Sequence, residues 1–195
     1  MIMQERIQTF FHEAIDTLIQ VSENLSDEIE KASLLAVNSL LNDGKILSCG
    51  NGESAICADY FTTKLLNHYI QKRPSLPAIS LNNHAITTAI MTDYDSAEIY
   101  SKQIRALGSN KDVLLAITSH TNSDNIIEAI HAAHDREMNV IALTGTDSSA
   151  IRSSLLATDI EICVPTHKMV RVQEAHLLIT NALCNLIDYQ LFGSD

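Results

Sequence analysis

The chain has 195 residues, and 13 Lys and Arg against 24 Asp and Glu give it a formal charge of −11. With 46% hydrophobic residues it is too apolar for an acidic disordered chain, and it is long enough for one domain with a buried core, which we place over residues 1–195. The negative charge excludes a broad basic face for duplex DNA.

The N-terminal segment MIMQERIQTFF is too polar for a signal peptide, and no apolar run approaches the roughly 20 residues of a membrane span. The four cysteines contain no C-x-x-C pair and lie among apolar neighbours: Cys49, Cys57, Cys163 and Cys184. We therefore expect four buried thiols in a reducing compartment, and a cytoplasmic protein.

Two helices are predicted in the first forty residues. Apolar residues recur there at steps of four and three, which describes one helical face: Ile7, Phe11, Ala14, Leu18 and Val21. The pattern is interrupted over Ser22–Ser26. A second helix then runs to about Asn42, with Gly44 as its expected cap.

Five short apolar segments predict β-strands, at residues 45–49, 76–80, 112–118, 139–144 and 159–164. The third, DVLLAIT, is a continuous apolar run typical of a parallel strand covered on both faces. Helical patterns separate most of the strands, including one over Asn122–Arg136, and a last helix runs from about Met169 to Phe192. This alternation predicts an α/β fold with a doubly wound, five-stranded parallel sheet.

Two leading helices and a long last helix exceed what one sheet needs for cover. We expect residues 1–43 and the last helix to contribute to an oligomer interface.

Ligands of such sheets bind beyond the carboxyl ends of the strands. Cys49–Ser54, CGNGES, follows the first strand, and its two glycines allow close backbone approach before a helix N-terminus. Thr118–Ser123 follows the third strand and is rich in hydroxyl groups. Both loops suit a phosphate monoester, although the same residue types also serve as helix caps and turn formers.

Five motifs occur together and in order: CGNGES, RPSLPAI, DVLLAITSHTNS, ALTGTD and RVQEAH. In this combination the chain resembles the sugar isomerase (SIS) domain family over essentially its whole length. It is most similar to the branch that contains phosphoheptose isomerases and proteins associated with the DnaA initiator. The resemblance implies a flavodoxin-like sheet and a homotetramer.

The isomerases of this branch use a glutamate and a histidine as acid and base, together with a metal cluster. Aligned on the motifs, the glutamate position is Lys64 and the catalytic histidine position is Asn181. A metal-ligand histidine position is Tyr60, whereas the glutamine is retained as Gln173. An exposed lysine stays protonated at neutral pH, an asparagine amide does not titrate, and acid–base catalysis supplies roughly 10²–10⁴-fold per group. The resemblance therefore predicts a protein without isomerase catalysis, metal or cofactor.

A phosphosugar could still bind at the positions that the family uses for this purpose. These candidates are Asn51, Gly52, Ser54, Thr118, Ser119, Ser123 and Gln173. Glu53 stands where the isomerases have a glycine, and it places a negative charge beside the expected phosphate.

Three histidines could suggest metal ligands. His176 is a stray candidate on the last helix, and a structural role is the competing interpretation. His131 and His134, with Glu128 nearby, are interpreted as the solvated side of their helix.

The last helix ends in Leu191 and Phe192 before Gly193, a natural helix stop. The two apolar side chains either fold back onto the body or form an exposed partner contact. DnaA-associating relatives carry a Leu-Phe pair here. The resemblance thus favours a regulator that binds a DnaA-type initiator and promotes its assembly at the origin, with phosphoheptose isomerase and phosphosugar sensor as alternatives.

Overall fold

The computed structural model describes residues 2–120 and 123–193. Its helices are α1 Met3–Asn24, α2 Ser26–Leu41, α3 Glu53–Leu66, α4 His84–Asp93, α5 Glu98–Leu107, α6 Asp124–Asp135, α7 Ser149–Ser154 and α8 Met169–Phe192. Its strands are β1 Ile46–Gly50, β2 Ala78–Ser80, β3 Val113–Ile117, β4 Asn139–Gly145 and β5 Ile160–Val164.

All five strands pair in parallel, in the order β2-β1-β3-β4-β5. Every residue of β1 and β3 is buried, because helices cover both faces of the sheet. The predicted α/β fold and its five strands are confirmed. β2 starts later than predicted, at Ala78, because Pro77 has no amide hydrogen for a ladder.

Two apolar layers lie on opposite faces of the sheet. One is built from side chains of α1, α2, α3 and α8, and the other chiefly from α5 and α6. α4 is different, since none of its ten residues is buried. The apolar pattern of the sequence does not define α4, α5 or α7 individually.

The predicted face of α1 covers the core only in its second half. Val21 is buried and Leu18 is half-buried, whereas Ile7 and Phe11 are 54% and 61% exposed. The first half of this apolar stripe therefore remains exposed to solvent in the single protomer.

The cap of α2 differs from the expectation. Asp43, not Gly44, adopts the left-handed conformation, with φ 62°, and the Gly44 amide donates to the Ser39 carbonyl at 2.9 Å. This is the hydrogen bond of a Schellman motif. Gly44 is required for another reason, because a Cβ there would lie 2.2 Å from the Lys111 carbonyl oxygen.

The last helix has the predicted bounds, Met169–Phe192. For α6 the predicted first residue, Asn122, lies outside the described residues.

Cys49, Cys57 and Cys184 are buried free thiols as predicted, whereas Cys163 is only half-buried. Within residues 2–120 and 123–193, no helix is long and apolar enough to cross a membrane.

Replacing Gly44 by Ala should lower the free energy of unfolding by about 1–3 kcal/mol, because the Lys111 backbone cannot move aside for a Cβ. Urea denaturation measures the change. Asp43→Gly is the matched control: it relieves a left-handed residue and should cost little. Equal losses in both variants would contradict this account of the turn.

Candidate functional site

The carboxyl ends of β1 and β3 meet the first turn of α3 at Gly50. A Cβ at Gly50 would lie 2.7 Å from the Ser54 carbonyl group and 2.9 Å from the Ile117 carbonyl oxygen, so only glycine fits. Gly52 has φ 55° and ψ −122°, a conformation that side-chain-bearing residues rarely adopt. The two glycines of CGNGES therefore determine where α3 begins.

A cavity of about 450 Å³ lies between α3 and α8. Its lining contains two of the predicted ligand residues, Ser54 and Gln173. The full lining is Glu53, Ser54, Ile56, Cys57, Tyr60, Gln173, Glu174, His176, Leu177 and Asn181. This volume is typical of small-molecule sites.

Gln173 connects the two predicted loops. Its Nε2 donates to Ser119 Oγ at 3.3 Å and approaches Glu53 Oε2 at 3.5 Å. The structure thus brings together α8, the start of α3 and the loop that follows β3.

The remaining candidates lie apart from this cavity. The Asn51 and Asn125 side-chain amides donate to each other, both at 2.8 Å. The buried Thr118 and Ser123 hydroxyls hydrogen-bond to each other at 3.0 Å. Asn51 and Ser123 line a second cavity of about 400 Å³ together with Asp95. Four of the seven predicted ligand residues therefore line one of these cavities, Ser54 and Gln173 the first and Asn51 and Ser123 the second, whereas Gly52, Thr118 and Ser119 line neither.

The positions predicted to replace catalytic groups form a connected chain. The Tyr60 hydroxyl donates to Asn181 Oδ1 at 2.8 Å, and the Asn181 amide donates to the Leu177 carbonyl at 2.9 Å. Lys64 Nζ lies 5.1 Å from the centroid of the Tyr60 ring, within cation–π range. Both polar groups of Asn181 are therefore already hydrogen-bonded.

His176 also lines the cavity between α3 and α8. From the sequence it could be interpreted only as an isolated metal ligand or as a structural residue. It is 1% exposed, and its Nε2 donates to the Thr144 carbonyl at 3.0 Å, which links α8 to β4. Burial lowers the pKa of His176 to about 4, although the Thr144 hydrogen bond opposes this shift. The ring is neutral at pH 7, and its Nδ1 is left as an acceptor.

The solvated interpretation of His134 is wrong. Its Nε2 contacts Asp159 Oδ2 at 2.8 Å, and only 16% of its side chain is exposed. The buried Asp159 carboxylate also accepts the Val140 amide, which the local sequence of α6 could not reveal. His131 is exposed, 3.6 Å from Glu128. Among the described residues, no group of three or more His, Cys, Asp and Glu side chains could hold a metal ion.

The two residues at the end of α8 have different environments. Leu191 is half-buried against the core, whereas Phe192 is 41% exposed. The Arg73 guanidinium lies 5.7 Å from the Phe192 ring centroid and is held by Asp188 at 2.8 Å. Gly193, with φ 63°, ends the helix as predicted. One residue thus packs inward while the next is presented to solvent.

A doubly wound parallel sheet in the order β2-β1-β3-β4-β5, with helices on both faces, defines the class of this protein. The chain belongs to the SIS domain family, which matches residues 9–145.

Relatives with two different names resemble it almost equally. It is 47% identical over 191 residues to the DnaA initiator-associating protein DiaA of Photorhabdus laumondii, with 97% of each chain covered. It is 50% identical over 192 residues to the phosphoheptose isomerase of Chromohalobacter salexigens, with 98% of each covered. The solved phosphoheptose isomerase of Francisella tularensis superposes with a TM-score of 0.92 at 42% identity, covering 96% of this chain and 99% of that one.

The buried neutral His176 predicts a pH-dependent stability. The unfolded chain binds a proton at this ring near pH ~6.5, but the folded chain does so only near pH 4. Stability should therefore fall as the pH drops from about 6.5 to about 4, by at most about 1.4 kcal/mol per pH unit.

His176→Gln retains a donor for Thr144 but does not titrate. Urea unfolding of both proteins across this range should show a shallower pH dependence for the variant. Parallel curves would show that His176 is not the group responsible.

Proposed function

We propose that this chain is a non-enzymatic SIS domain protein that binds a DnaA-type replication initiator and promotes its assembly at the origin. The Tyr60–Asn181 hydrogen bond carries the proposal. The resemblance places an acid and a base at positions 64 and 181, where this chain has Lys64 and Asn181. Both polar groups of Asn181 are already hydrogen-bonded, and Lys64 lies one helical turn from Tyr60, over its ring. Neither suits proton shuttling at neutral pH.

The surface at the end of α8 supports the choice of partner. Phe192 is 41% exposed, and its ring lies beside the buried Arg73 guanidinium, which Asp188 holds. Exposed aromatic side chains are frequent binding hot spots. Leu191 and Phe192 would contribute roughly 1.5–3 kcal/mol each on burial. A micromolar complex needs about 8 kcal/mol, so one pair is insufficient by itself.

A homotetramer would supply the missing affinity through avidity toward clustered initiator molecules. The first half of α1 supports self-association, because Ile7 and Phe11 are exposed along one stripe. A groove of about 640 Å³ between α1, α2 and α8 continues this apolar surface.

The partner surface is tested by capture of purified DnaA on the immobilised protein. The Leu191→Ala/Phe192→Ala variant should lose most of the capture, because its contact side chains are gone. Tyr94→Ala is the matched control, since Tyr94 is also an exposed aromatic stacked on a cation, Lys102. Equal capture by the double variant and the wild type would remove the proposed contact.

The oligomer is tested by light scattering after size exclusion. We expect a tetramer for the wild type and a smaller species for Ile7→Asp/Phe11→Asp, because charges on the stripe would oppose burial. Circular dichroism shows whether the variant is folded. A monomeric wild type would contradict this part of the proposal.

Phosphoheptose isomerase is the alternative function. The 50% identity to a relative of that name favours it, as does Glu53, a carboxylate at the cavity that could accept a proton. It would require catalytic groups at new positions.

A further inference from the structure

Only one asparagine in the sequence is followed by glycine, Asn51 before Gly52 in CGNGES. The side-chain carbonyl carbon of an asparagine is open to attack by the amide nitrogen of the next residue, which makes asparagine chemically labile. A following glycine hinders this attack least, because it has no Cβ. Asn51 is therefore the asparagine of this chain at which spontaneous modification is most readily expected.

The structure leaves the Gly52 nitrogen accessible. Gly52 is exposed and is the N-cap residue of α3, ahead of the first helical hydrogen bond. A Cβ built there would meet nothing within 4 Å, and among the residues that the structure describes none accepts a hydrogen bond from its amide. The Asp43–Gly44 pair is the contrast, because Gly44 is buried and its amide donates to the Ser39 carbonyl at 2.9 Å.

The Asn51 side chain, in contrast, is restrained by hydrogen bonds. Its Nδ2 donates to Asn125 Oδ1, and Asn125 Nδ2 donates to Asn51 Oδ1, both at 2.8 Å. The hydroxyl oxygen of the buried Tyr100 lies 3.3 Å from the same Oδ1. The carboxamide has to break these hydrogen bonds before its carbonyl carbon can turn toward the Gly52 nitrogen. The pairing with Asn125 should therefore slow a reaction that the exposed glycine permits.

We propose that Asn51 is a deamidation site whose rate is set by its pairing with Asn125. The Gly52 nitrogen gives its proton to hydroxide and forms a bond to Asn51 Cγ, and the side-chain nitrogen takes up a proton and leaves as ammonia. Water then opens the resulting cyclic imide at either carbonyl group, which gives aspartate or isoaspartate at position 51. Overall, water is consumed and ammonia is released, and no other reactant is needed.

The product changes the start of α3 in two ways. A carboxylate cannot donate to Asn125 Oδ1, and it adds a negative charge to a cavity that Asp95 and Asp124 already line. Isoaspartate also adds a main-chain carbon next to Gly50, where even a Cβ would lie 2.7 Å from the Ser54 carbonyl group. The modified chain should therefore unfold at a lower temperature than the unmodified chain.

Incubation of the purified protein at mildly alkaline pH, followed by peptide mass spectrometry, measures deamidation at each asparagine. The wild-type peptide that contains residue 51 should gain mass slowly. Asn125→Ala removes both hydrogen bonds of the pair and should raise this rate at least about fivefold. Asn51→Gln should show no gain at this position, because its longer side chain closes a larger ring. Thermal unfolding of the modified and unmodified wild-type fractions, separated by chromatography, tests the expected loss of stability.

Asn110→Ala is the matched control, since Asn110 is exposed at the opposite, amino end of β3, and it should leave the rate at residue 51 unchanged. Wild type unfolded in urea is the second comparison and needs no folded variant, because it has also lost the pairing and should react at least about fivefold faster than the native chain. Rates at residue 51 that agree within about twofold among native wild type, Asn125→Ala and the unfolded chain would overturn the proposal. So would an absence of product at residue 51 in all three. DnaA capture does not enter these measurements, so the proposed function stands or fails separately.

Discussion

Backbone packing at Gly50 is the constraint on which the site depends. The end of β1 approaches the first turn of α3 and the end of β3 so closely that a single Cβ would collide with both. The Tyr100 hydroxyl donates to the Gly50 carbonyl at 2.5 Å and adds α5 to the same junction. Because α3 starts from this junction, its register directs Ser54 and Tyr60 toward α8.

The same register determines which side chains face each other between α3 and α8. The two helices enclose a cavity, and across it the Tyr60 hydroxyl and Asn181 are joined by a hydrogen bond. The buried His176 ties α8 to β4 and remains neutral because burial lowers its pKa to about 4. The framework therefore encloses a cavity of about 450 Å³ with Tyr60 and Asn181 in its lining. α8 continues beyond the cavity and ends at Phe192, so one helix links the cavity to an exposed aromatic surface.

Features set by local pattern could be predicted from the sequence, and features set by distant contacts could not. The strand at 113–117 was recognisable because a doubly covered strand must be apolar throughout, and α8 because Gly193 ends it. The role of Asp43 was missed, because it depends on how the turn at Asp43 and Gly44 packs against the Lys111 backbone. The role of His134 was missed, because its partner Asp159 is 25 residues away in the chain. The motif resemblance identified Ser54 and Gln173 as ligand candidates, and both line one cavity. It gave no sign that Asn51 is paired with Asn125 or that His176 lines the same cavity as Ser54.

We propose that Lys64 and Asn181 leave this SIS domain without acid–base catalysis. Turnover of a heptulose 7-phosphate by the purified protein, beside the Lys64→Glu/Asn181→His variant with and without added zinc, tests it most directly. We expect no turnover by the wild type and any activity to be confined to the variant, in which a carboxylate stands at position 64 and an imidazole at position 181. Turnover of the heptulose 7-phosphate by the purified wild type, with or without added zinc, would contradict this prediction.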